Sequence, residues 1–388
     1  MADSAPFGNY QYEIYLKGLA DELPKLPIAW DALEAAAAEK LDAGAHGYVF
    51  GGAGAEDTMR ENLEAFRRRR LLPRMLRDVS ERTTVTTVLG QELNAPIVLA
   101  PVGVQSIVHP DGELAVARAA AAQGTTMIAS TASSFTLEEI AEAGGPRWFQ
   151  LYWPRGRELA ASFVHRAEAA GYTALVVTLD TWLLAWRPRD LQGAYLPFLK
   201  SIGIANYLSD PVFRSTLADP PEEDPQGAVG QFVGVFSNPT VTWEDLAFLR
   251  ETTDLPILLK GVLHPDDARL AREHGVDGLV VSNHGGRQVD GAIAALDALG
   301  PIVEAVGDDL ALVLDSGVRT GADVAKALAL GADAVGIGRP YLWGLAVAGE
   351  AGVTHVLKNL LAELDLTLAL CGLTSPAELD GAAVTESA

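Results

Sequence analysis

The feature that most constrains this chain is a regular alternation of short apolar runs with alanine-rich stretches of helical spacing. The apolar runs predict eight β-strands, at 97–101, 126–130, 147–152, 174–179, 256–260, 278–282, 310–315 and 333–337. The stretches between them predict amphipathic helices, most clearly at 111–123, 136–143, 157–170, 265–274 and 320–330. Continuous apolar strands that alternate with helices are typical of a parallel sheet buried on both faces.

Eight strand–helix units favour a closed (β/α)8 TIM barrel, an α/β fold, over an open doubly wound sheet. The open sheet is the alternative, but no strand followed by Gly-x-Gly-x-x-Gly and a helix begins the series. The 388 residues are therefore predicted to form a single domain, because α/β barrels commonly exceed about 200 residues as one unit.

The segment before the first strand predicts additions to the barrel. Residues 1–80 are interpreted as a cap of helices, notably 29–43 and 56–66, which ends in four arginines at 67–70. We interpret this arginine run as a solvated or ion-paired helix face rather than a nucleic-acid contact. Residues 84–95 predict a β-hairpin that could close the floor of the barrel.

The barrel itself is predicted to span 97–345, followed by a C-terminal helix and tail at 346–388. One long insertion, 188–241, separates the fourth strand from its helix and contains an acidic stretch at 218–227. A loop of this length is either a functional lid or a disordered segment. Because it leaves the carboxyl end of a barrel strand, we expect a lid with a mobile centre.

Composition excludes several classes of protein. The chain has 29 Lys+Arg and 51 Asp+Glu, a formal charge of −22, which repels nucleic acid. A single cysteine, Cys371, cannot form an internal disulfide, and neither a signal peptide nor a membrane-spanning segment is visible. We therefore expect a cytoplasmic protein without membrane or nucleic-acid partners. The same negative charge looks unfavourable for a small anionic substrate.

The carboxyl ends of the predicted strands carry polar groups or glycine, which core packing alone does not require. In a barrel these ends surround the active site. They are Pro101-Val102-Gly103, Ser130-Thr131, Gln150 with Tyr152, Thr178 with Asp180, Lys260-Gly261, 282–287, 315–319 and 336–340. No spacing of His, Cys and carboxylate residues indicates a metal site.

One histidine, His284, follows a strand end directly. An imidazole there suits general acid–base catalysis, although a structural role is the ordinary expectation for a lone histidine. Asp180 could orient the ring, and Arg187 and Arg287 could bind a carboxylate. Lys260 could form a Schiff base, stabilise an anion or join a buried ion pair, and the residues alone leave these three open.

The last two strand ends predict a phosphate site. Glycines at 317, 336 and 338 allow backbone N–H groups to approach an anion, and Arg319 or Arg339 can bind it in a bidentate fashion. Barrels often bind phosphate at these loops. The alternative is that the glycines simply make tight turns.

These motifs resemble those of the FMN-dependent α-hydroxy-acid oxidase and dehydrogenase family. The resemblance is carried by 282–288 (SNHGGRQ), 315–319 (DSGVR) and 338–340 (GRP), and it extends from about Tyr48 to the last helix. It implies a (β/α)8 barrel with FMN at its carboxyl-terminal mouth, in agreement with the strand count.

The resemblance also implies roles for individual residues. It implies that His284, paired with Asp180, takes the hydroxyl or α-proton of an L-2-hydroxy acid while the flavin accepts a hydride equivalent. Substrate contacts are implied for Arg187, Arg287, Tyr48 and Tyr152. Lys260 is implied to stabilise negative charge on the reduced ring. Cofactor contacts are implied for Pro101, Val102, Gly103, Ser130, Gln150, Thr178, Ser282, Asp315, Gly317, Arg319, Gly338 and Arg339.

Within this family, three features favour lactate 2-monooxygenase, which converts L-lactate and O2 to acetate, CO2 and water. They are the long insertion, the runs at 186–191 and 197–199, and Gly103 where lactate oxidases tend to have alanine. A well-closed lid would retain pyruvate while oxygen reacts. Leu196, with Tyr195 before it, stands where lactate oxidase has a lid tyrosine, which puts a lid hydrogen bond to the substrate in doubt.

The alternatives differ in what happens after the substrate is oxidised. A lactate oxidase would release pyruvate and H2O2, and a dehydrogenase would pass electrons to a quinone at a membrane. The acidic stretch 219–224 disfavours the latter. A different class is a non-redox isomerase or aldolase with a phosphorylated substrate. The expected partners are a short 2-hydroxy acid and O2, and relatives imply a homotetramer or a larger homo-oligomer.

Overall fold

The computed structural model describes residues 6–386, so the first five residues of the predicted cap and the last two of the predicted tail lie outside the described part. Eight parallel strands form a closed barrel in sequence order, and the eighth strand pairs with the first. The strands are Ile97–Leu99, Thr126–Ser130, Arg147–Tyr152, Leu175–Thr178, Ile257–Val262, Gly278–Val281, Ala311–Leu314 and Ala334–Ile337. All eight predicted strands are present, and the predicted barrel is confirmed.

Each barrel strand buries both of its faces because its side chains alternate between two cores. In the fourth strand, Val176 points into the barrel interior, whereas Leu175 and Val177 pack in the core between the barrel and its helices. This arrangement explains why the strands appear in the sequence as continuous apolar runs rather than as alternating patterns.

The predicted hairpin closes the barrel floor. Its strands, Thr86–Val88 and Gln91–Leu93, pair antiparallel, and Val88 and Leu93 join the interior core of the barrel. Trp148 Nε1 donates to Gln91 Oε1 at 3.0 Å, which attaches the hairpin to the third barrel strand.

The helices surround the barrel as predicted, within one or two residues for those between strands. A kink with non-helical backbone at Ala348 and Gly349 divides the last helix. Among residues 6–386, no helix combines the length and the apolarity that crossing a bilayer requires. Outside the insertion, the α-helices are Tyr10–Gly18, Trp30–Lys40, Ala43–Phe50, Asp57–Arg68, Gly112–Gln123, Leu137–Glu142, Arg157–Ala169, Leu246–Thr252, Pro265–Glu273, Ala295–Val306, Gly321–Ala329 and Arg339–Leu370.

The arginine run at 67–70 is an ion-paired surface of the cap, as interpreted from the sequence. Arg68 and Arg69 both reach Asp297, at 2.6 and 3.3 Å, and Arg69 also contacts Glu386 at 2.8 Å. The strand Arg69–Leu71 pairs antiparallel with Val384–Glu386, so the cap is fastened to the last described residues.

The insertion at 188–241 is not an irregular loop but a group of short helices: Pro188–Gln192, Ala205–Ser209, Pro211–Ser215 and Pro225–Phe236. Tyr207, Phe213 and Phe232 are each at most 1% exposed and form an aromatic cluster with Phe198 and Phe236. The acidic stretch lies at its surface, where Glu222 pairs with Arg214 at 2.9 Å. The aromatic cluster of the insertion is continuous with the core between the barrel and its helices, and Tyr207 packs on Phe163 with ring centres 4.9 Å apart.

Candidate active site

A cavity opens at the carboxyl-terminal mouth of the barrel, bounded by the cap, the strand-end loops and the insertion. Most of the residues predicted to act on substrate or cofactor line it. These are Tyr48, Pro101, Val102, Gly103, Tyr152, Arg187, Lys260, His284, Arg287, Asp315, Gly317, Arg319, Gly338 and Arg339.

His284 and Asp180 form a partly buried pair at this mouth, with side chains 16% and 13% exposed. His284 Nδ1 lies 2.8 Å from Asp180 Oδ1 and 3.3 Å from Thr181 Oγ1, and Thr181 donates to the same Asp180 oxygen at 2.9 Å. Asp180 does not line the cavity but lies behind His284. A carboxylate in this position fixes the ring and its Nδ1 proton, which leaves Nε2 as the nitrogen able to accept a proton.

The electrostatics of the pair favour a neutral imidazole beside an ionised carboxylate. Burial lowers the pKa of His284, as does the Lys260 charge, whereas Asp180 opposes both. Burial by itself raises the pKa of Asp180, but the charges of His284 and Lys260 and the hydrogen bonds from His284 and Thr181 outweigh it and hold this pKa well below its usual range. His284 is thus a proton acceptor at neutral pH.

The backbone at His284 is left-handed, with φ of +58°, a conformation that costs a non-glycine residue about 1–2 kcal/mol. Two serine hydroxyls hold it: Ser282 Oγ accepts from His284 N at 3.0 Å, and Ser316 Oγ accepts from Gly285 N at 2.9 Å. Gly286 follows with φ of +74°, and a Cβ there would lie 2.6 Å from Met59 N. The 284–286 turn is therefore fitted against the helix Asp57–Arg68.

Arg187 and Arg287 lie together at one side of the cavity. Arg187 Nε donates to Arg287 O at 3.0 Å and its Nη2 to Gln288 Oε1 at 2.7 Å. The Arg287 guanidinium lies 4.8 Å from the centre of the Tyr48 ring and donates to Gly51 O at 3.0 Å. Burial and the Arg187 charge lower the pKa of Arg287 to about 10.

Arg319 and Arg339 lie at the ends of the last two strands. Arg339 donates to the backbone oxygens of Val49, Gly51 and Gly285 at 2.9–3.1 Å. Arg319 stacks on Trp343, 5.1 Å from the ring centre, and donates to Val318 O at 3.0 Å. Burial, Arg287 and Arg319 together lower the pKa of Arg339 to about 9.

The mouth therefore concentrates positive charge that protein carboxylates do not fully neutralise. Within the described chain, the ion pairs that Arg187 and Lys260 make at the mouth are loose: Arg187 with Asp190 at 3.9 Å, and Lys260 with Asp180 and Asp315 at 3.9 and 3.7 Å. A buried cation without close counter-charge is unfavourable unless a ligand supplies the anion.

This cavity fits the FMN that the motifs imply. The phosphate end has two guanidinium groups, those of Arg319 and Arg339, and at Gly338 no atom lies within 4 Å of where a Cβ would be, so the backbone is open to an anion. Lys260, 3% exposed, provides a buried positive charge near the barrel axis. Arg319, Arg339 and Gly338 would hold the phosphate, and Lys260 would face the ring system.

Four predicted ring contacts lie behind the cavity and bond to protein groups. Ser130 Oγ donates to Gln150 Oε1 at 2.8 Å, and Gln150 Nε2 donates to Thr178 Oγ1 at 2.9 Å. Lys260 Nζ donates to Ser282 Oγ at 3.1 Å. Contact of these side chains with the isoalloxazine stays a prediction, and in this structure they form a polar layer across the barrel.

Gly103 is tightly confined. A Cβ at this position would lie 2.5 Å from Ala132 O, the same oxygen that accepts from Val104 N at 2.9 Å. Alanine there would force the loop after the first strand to move away from the second strand, so this glycine fixes the cavity wall.

The insertion contributes aromatic rather than polar groups to the cavity. Phe198 and Phe236 line it, whereas Tyr195 and Leu196 are not among its lining residues in 6–386. Tyr195 instead packs on the cap, where a Cβ on Gly44 would lie 2.6 Å from its ring. In this structure neither Tyr195 nor Leu196 therefore offers the substrate a hydrogen bond from the lid.

Several residues of the site were missed in the sequence. Thr181 follows Asp180 and could have been found by extending that strand end by one position. Gln288 belongs to the 282–288 motif, but no role was given to it. Ser316 lies inside one of the motifs, but its backbone role gives no pattern. Phe236 lies far along the insertion and has no sequence signal that places it at the mouth.

Known proteins resemble this chain over nearly its full length. The FMN-dependent dehydrogenase family matches residues 37–386. An L-lactate oxidase of Lysinibacillus sphaericus is 46% identical over 365 residues, covering 94% of each chain. An FMN-dependent alpha-hydroxy acid dehydrogenase of Penicillium citrinum is 46% identical over 378 residues, covering 96% of this chain and 94% of its own. A crystal structure of mandelate oxidase has a TM-score of 0.82 and 39% identity, covering 93% of this chain and 98% of its own.

Proposed function

Because this chain belongs to the FMN-dependent α-hydroxy-acid oxidase and dehydrogenase family, which makes FMN its cofactor and α-hydroxy-acid oxidation its reaction, we propose that its substrate is a short L-2-hydroxy acid, L-lactate above all. The observation that carries the proposal is the His284–Asp180 pair, 2.8 Å apart, beside Arg187 and Arg287, which line the same cavity. A base next to a carboxylate-binding pair suits a 2-hydroxy acid, which presents its carboxylate and its reacting carbon on adjacent atoms.

The arginines bind and orient the substrate. Arg187 and Arg287 bind its carboxylate through charge-assisted hydrogen bonds, and this anion offsets their mutual repulsion. Burial raises the pKa of Tyr152 well above its ordinary value, with contributions from Tyr48 and Asp180. The Tyr152 hydroxyl therefore stays protonated and donates a hydrogen bond to the substrate. The Tyr48 hydroxyl, which lines the same cavity, is a second donor to the substrate.

Proton transfer is the task of His284. Its Nε2 accepts the hydroxyl or α-proton of the bound substrate, and Asp180 stabilises the resulting imidazolium. When FMN is bound, it supplies the capacity to accept two electrons from the substrate. Lys260, buried near the ring position, stabilises the negative charge that this transfer brings, since electrostatic stabilisation is strongest where water is excluded.

We further propose the monooxygenase outcome, in which L-lactate and O2 give acetate, CO2 and water. It is supported by the helical insertion, because Phe198 and Phe236 cover the cavity from a packed aromatic cluster and would slow the escape of pyruvate. The oxidase outcome, with pyruvate and H2O2 as products, is the second candidate, because the Lysinibacillus relative is named an L-lactate oxidase.

Product analysis with L-lactate and O2 decides between these outcomes. Acetate and CO2 in equal amounts to consumed lactate support the monooxygenase proposal, and pyruvate with H2O2 replaces it with the oxidase. Much faster turnover of glycolate or mandelate than of lactate would overturn the substrate. The cytoplasmic location and the homotetrameric or larger assembly stay predictions from the sequence.

A further inference from the structure

A second, smaller cavity lies beside the active-site cavity and shares a wall with it. The wall consists of Tyr152, Thr181 and Phe236, which line both cavities. The smaller cavity is also lined by Trp182 and Val241, which do not line the active-site cavity. We call it the side cavity, and none of the roles assigned so far uses it.

The size of the side cavity limits what can occupy it. Its volume is about 20 Å³, against about 130 Å³ for the active-site cavity. Because roughly 10–15 Å³ on this scale holds one water molecule, the side cavity has room for a single di- or triatomic molecule. A 2-hydroxy acid or its oxidation product does not fit.

Three polar side chains around the side cavity, those of Asn238, Thr178 and Thr181, already have partners inside the protein. Asn238 Nδ2 donates to Pro154 O at 3.2 Å, and its Oδ1 accepts from Thr240 Oγ1 at 2.8 Å. Thr178 Oγ1 accepts from Gln150 Nε2 at 2.9 Å. The rest of the lining is largely aromatic and aliphatic. A water molecule would find few hydrogen bonds there, whereas an apolar gas needs none.

The side cavity also lies between solvent and the reaction centre. Trp182, on its outer side, is 48% exposed. On the inner side, the Tyr152 and Phe236 rings meet with centres 5.2 Å apart, and Phe236 is the last residue of the helix Pro225–Phe236. The Phe236 ring is therefore part of the partition between the two cavities.

We propose that the side cavity is the site through which molecular oxygen reaches the reduced enzyme while the oxidised product still occupies the active-site cavity. The proposal rests on the proposed function, in which O2 is the oxidant. If pyruvate stays in place under Phe198 and Phe236, it blocks the mouth, so O2 requires a second route. A passage of this width admits O2 and keeps the product inside.

Xenon under pressure tests the binding property without any turnover. In crystals of the FMN-loaded enzyme, we expect a xenon atom in the side cavity, and we expect Val241→Trp to abolish it by filling the space. An empty side cavity in the pressurised wild-type crystal overturns the proposal, and this measurement stands even where the variant does not fold.

Stopped-flow kinetics test the route. For reduced enzyme with pyruvate bound, Val241→Trp should lower the second-order rate constant for reoxidation by O2 about tenfold. Anaerobic reduction by L-lactate should stay within twofold. Val233→Trp is the matched control, because Val233 is 50% exposed on the neighbouring helix and does not line the cavity.

Each kinetic outcome has one meaning. Unchanged reoxidation in Val241→Trp, with xenon displaced, overturns the oxygen route but leaves the proposed function intact. If O2 fails to reoxidise even the wild-type enzyme, the proposed use of O2 fails, and the oxygen route fails with it.

Discussion

The floor and the mouth of the barrel are made from the same eight strands, yet they bury opposite kinds of group. At the floor, the hairpin residues Val88 and Leu93 pack against Trp148, Val176 and Val280. Each of these five side chains is at most 3% exposed. Apolar burial of this kind stabilises the fold by about 25 cal/mol per Å². At the mouth the strands end in lysine, arginine, histidine and aspartate, whose burial stabilises the protein only when a ligand complements them.

The residues that stabilise the fold and the residues that carry the chemistry are therefore separated along the barrel axis. Changes at the floor should alter the free energy of unfolding and spare the reaction. Changes at the mouth should alter the reaction or ligand binding and largely spare the fold. Four substitutions test this separation.

The largest effect is expected for His284→Ala. Loss of the base should lower the rate constant for anaerobic flavin reduction by L-lactate by roughly 10²–10⁴-fold, while FMN absorbance of the purified protein is retained. His264→Ala is the control, since His264 lies on an exposed helix terminus. Reduction at close to the wild-type rate in His284→Ala would disprove its assignment as the base.

The second largest effect is expected for Trp148→Ala at the floor. Trp148 is 0% exposed, and removal of a buried tryptophan side chain costs about 3–5 kcal/mol, measurable by urea unfolding of the FMN-loaded enzyme. Flavin reduction by the folded variant should stay within a few fold of wild type. A large loss of the flavin reduction rate with an unchanged free energy of unfolding would contradict the assignment of stability to the floor and of chemistry to the mouth.

A smaller effect is expected for Asp180→Asn, which should lower the flavin reduction rate about 10²-fold. In the wild type, burial lowers the pKa of His284. The flavin reduction rate should therefore reach half of its maximum below pH 6.5 and should not change further with pH once His284 is neutral. Because Asp180 raises the pKa of His284, the loss of the Asp180 charge should shift the half-maximal point of this pH–rate profile to still lower pH. Asp266→Asn, at an exposed site, should change neither rate nor profile.

The smallest effect is expected for Arg319→Met. Loss of one charge-assisted contact of about 1.5–3 kcal/mol should weaken FMN binding by roughly 10–100-fold in a fluorescence titration of the apoprotein. The exposed pair of Arg214 with Glu222 supplies the control, because Arg214→Met should leave FMN affinity unchanged. Equal affinities in the two variants would remove Arg319 from the phosphate site.

The sequence was sufficient for the barrel because both its signals are local. Strands buried on two faces are continuous apolar runs, and the helices between them keep a 3.6-residue period over two or more turns. The mouth could also be predicted, because parallel strands all end at the same rim of a barrel. Residues that follow the strand ends, such as His284, Arg187 and Arg339, were therefore expected to lie there together.

The rest depended on contacts between distant parts of the chain. Three of the four α-helices in the insertion begin at a proline, namely Pro188, Pro211 and Pro225. All but the last have five residues and are too brief to show a period. Its aromatic cluster gives no pattern before the fold is known. The pairing of 69–71 with 384–386 joins three-residue strands from opposite ends of the sequence, for which no local signal exists.

That last pairing makes the mouth depend on a distant part of the sequence. The cap places Tyr48 at the mouth, and the segment that follows the cap is held by residues 384–386 and by Arg74 N, which donates to Cys371 O at 3.0 Å. The geometry of one wall of the active-site cavity is therefore linked to contacts with residues that lie beyond all eight barrel strands along the chain.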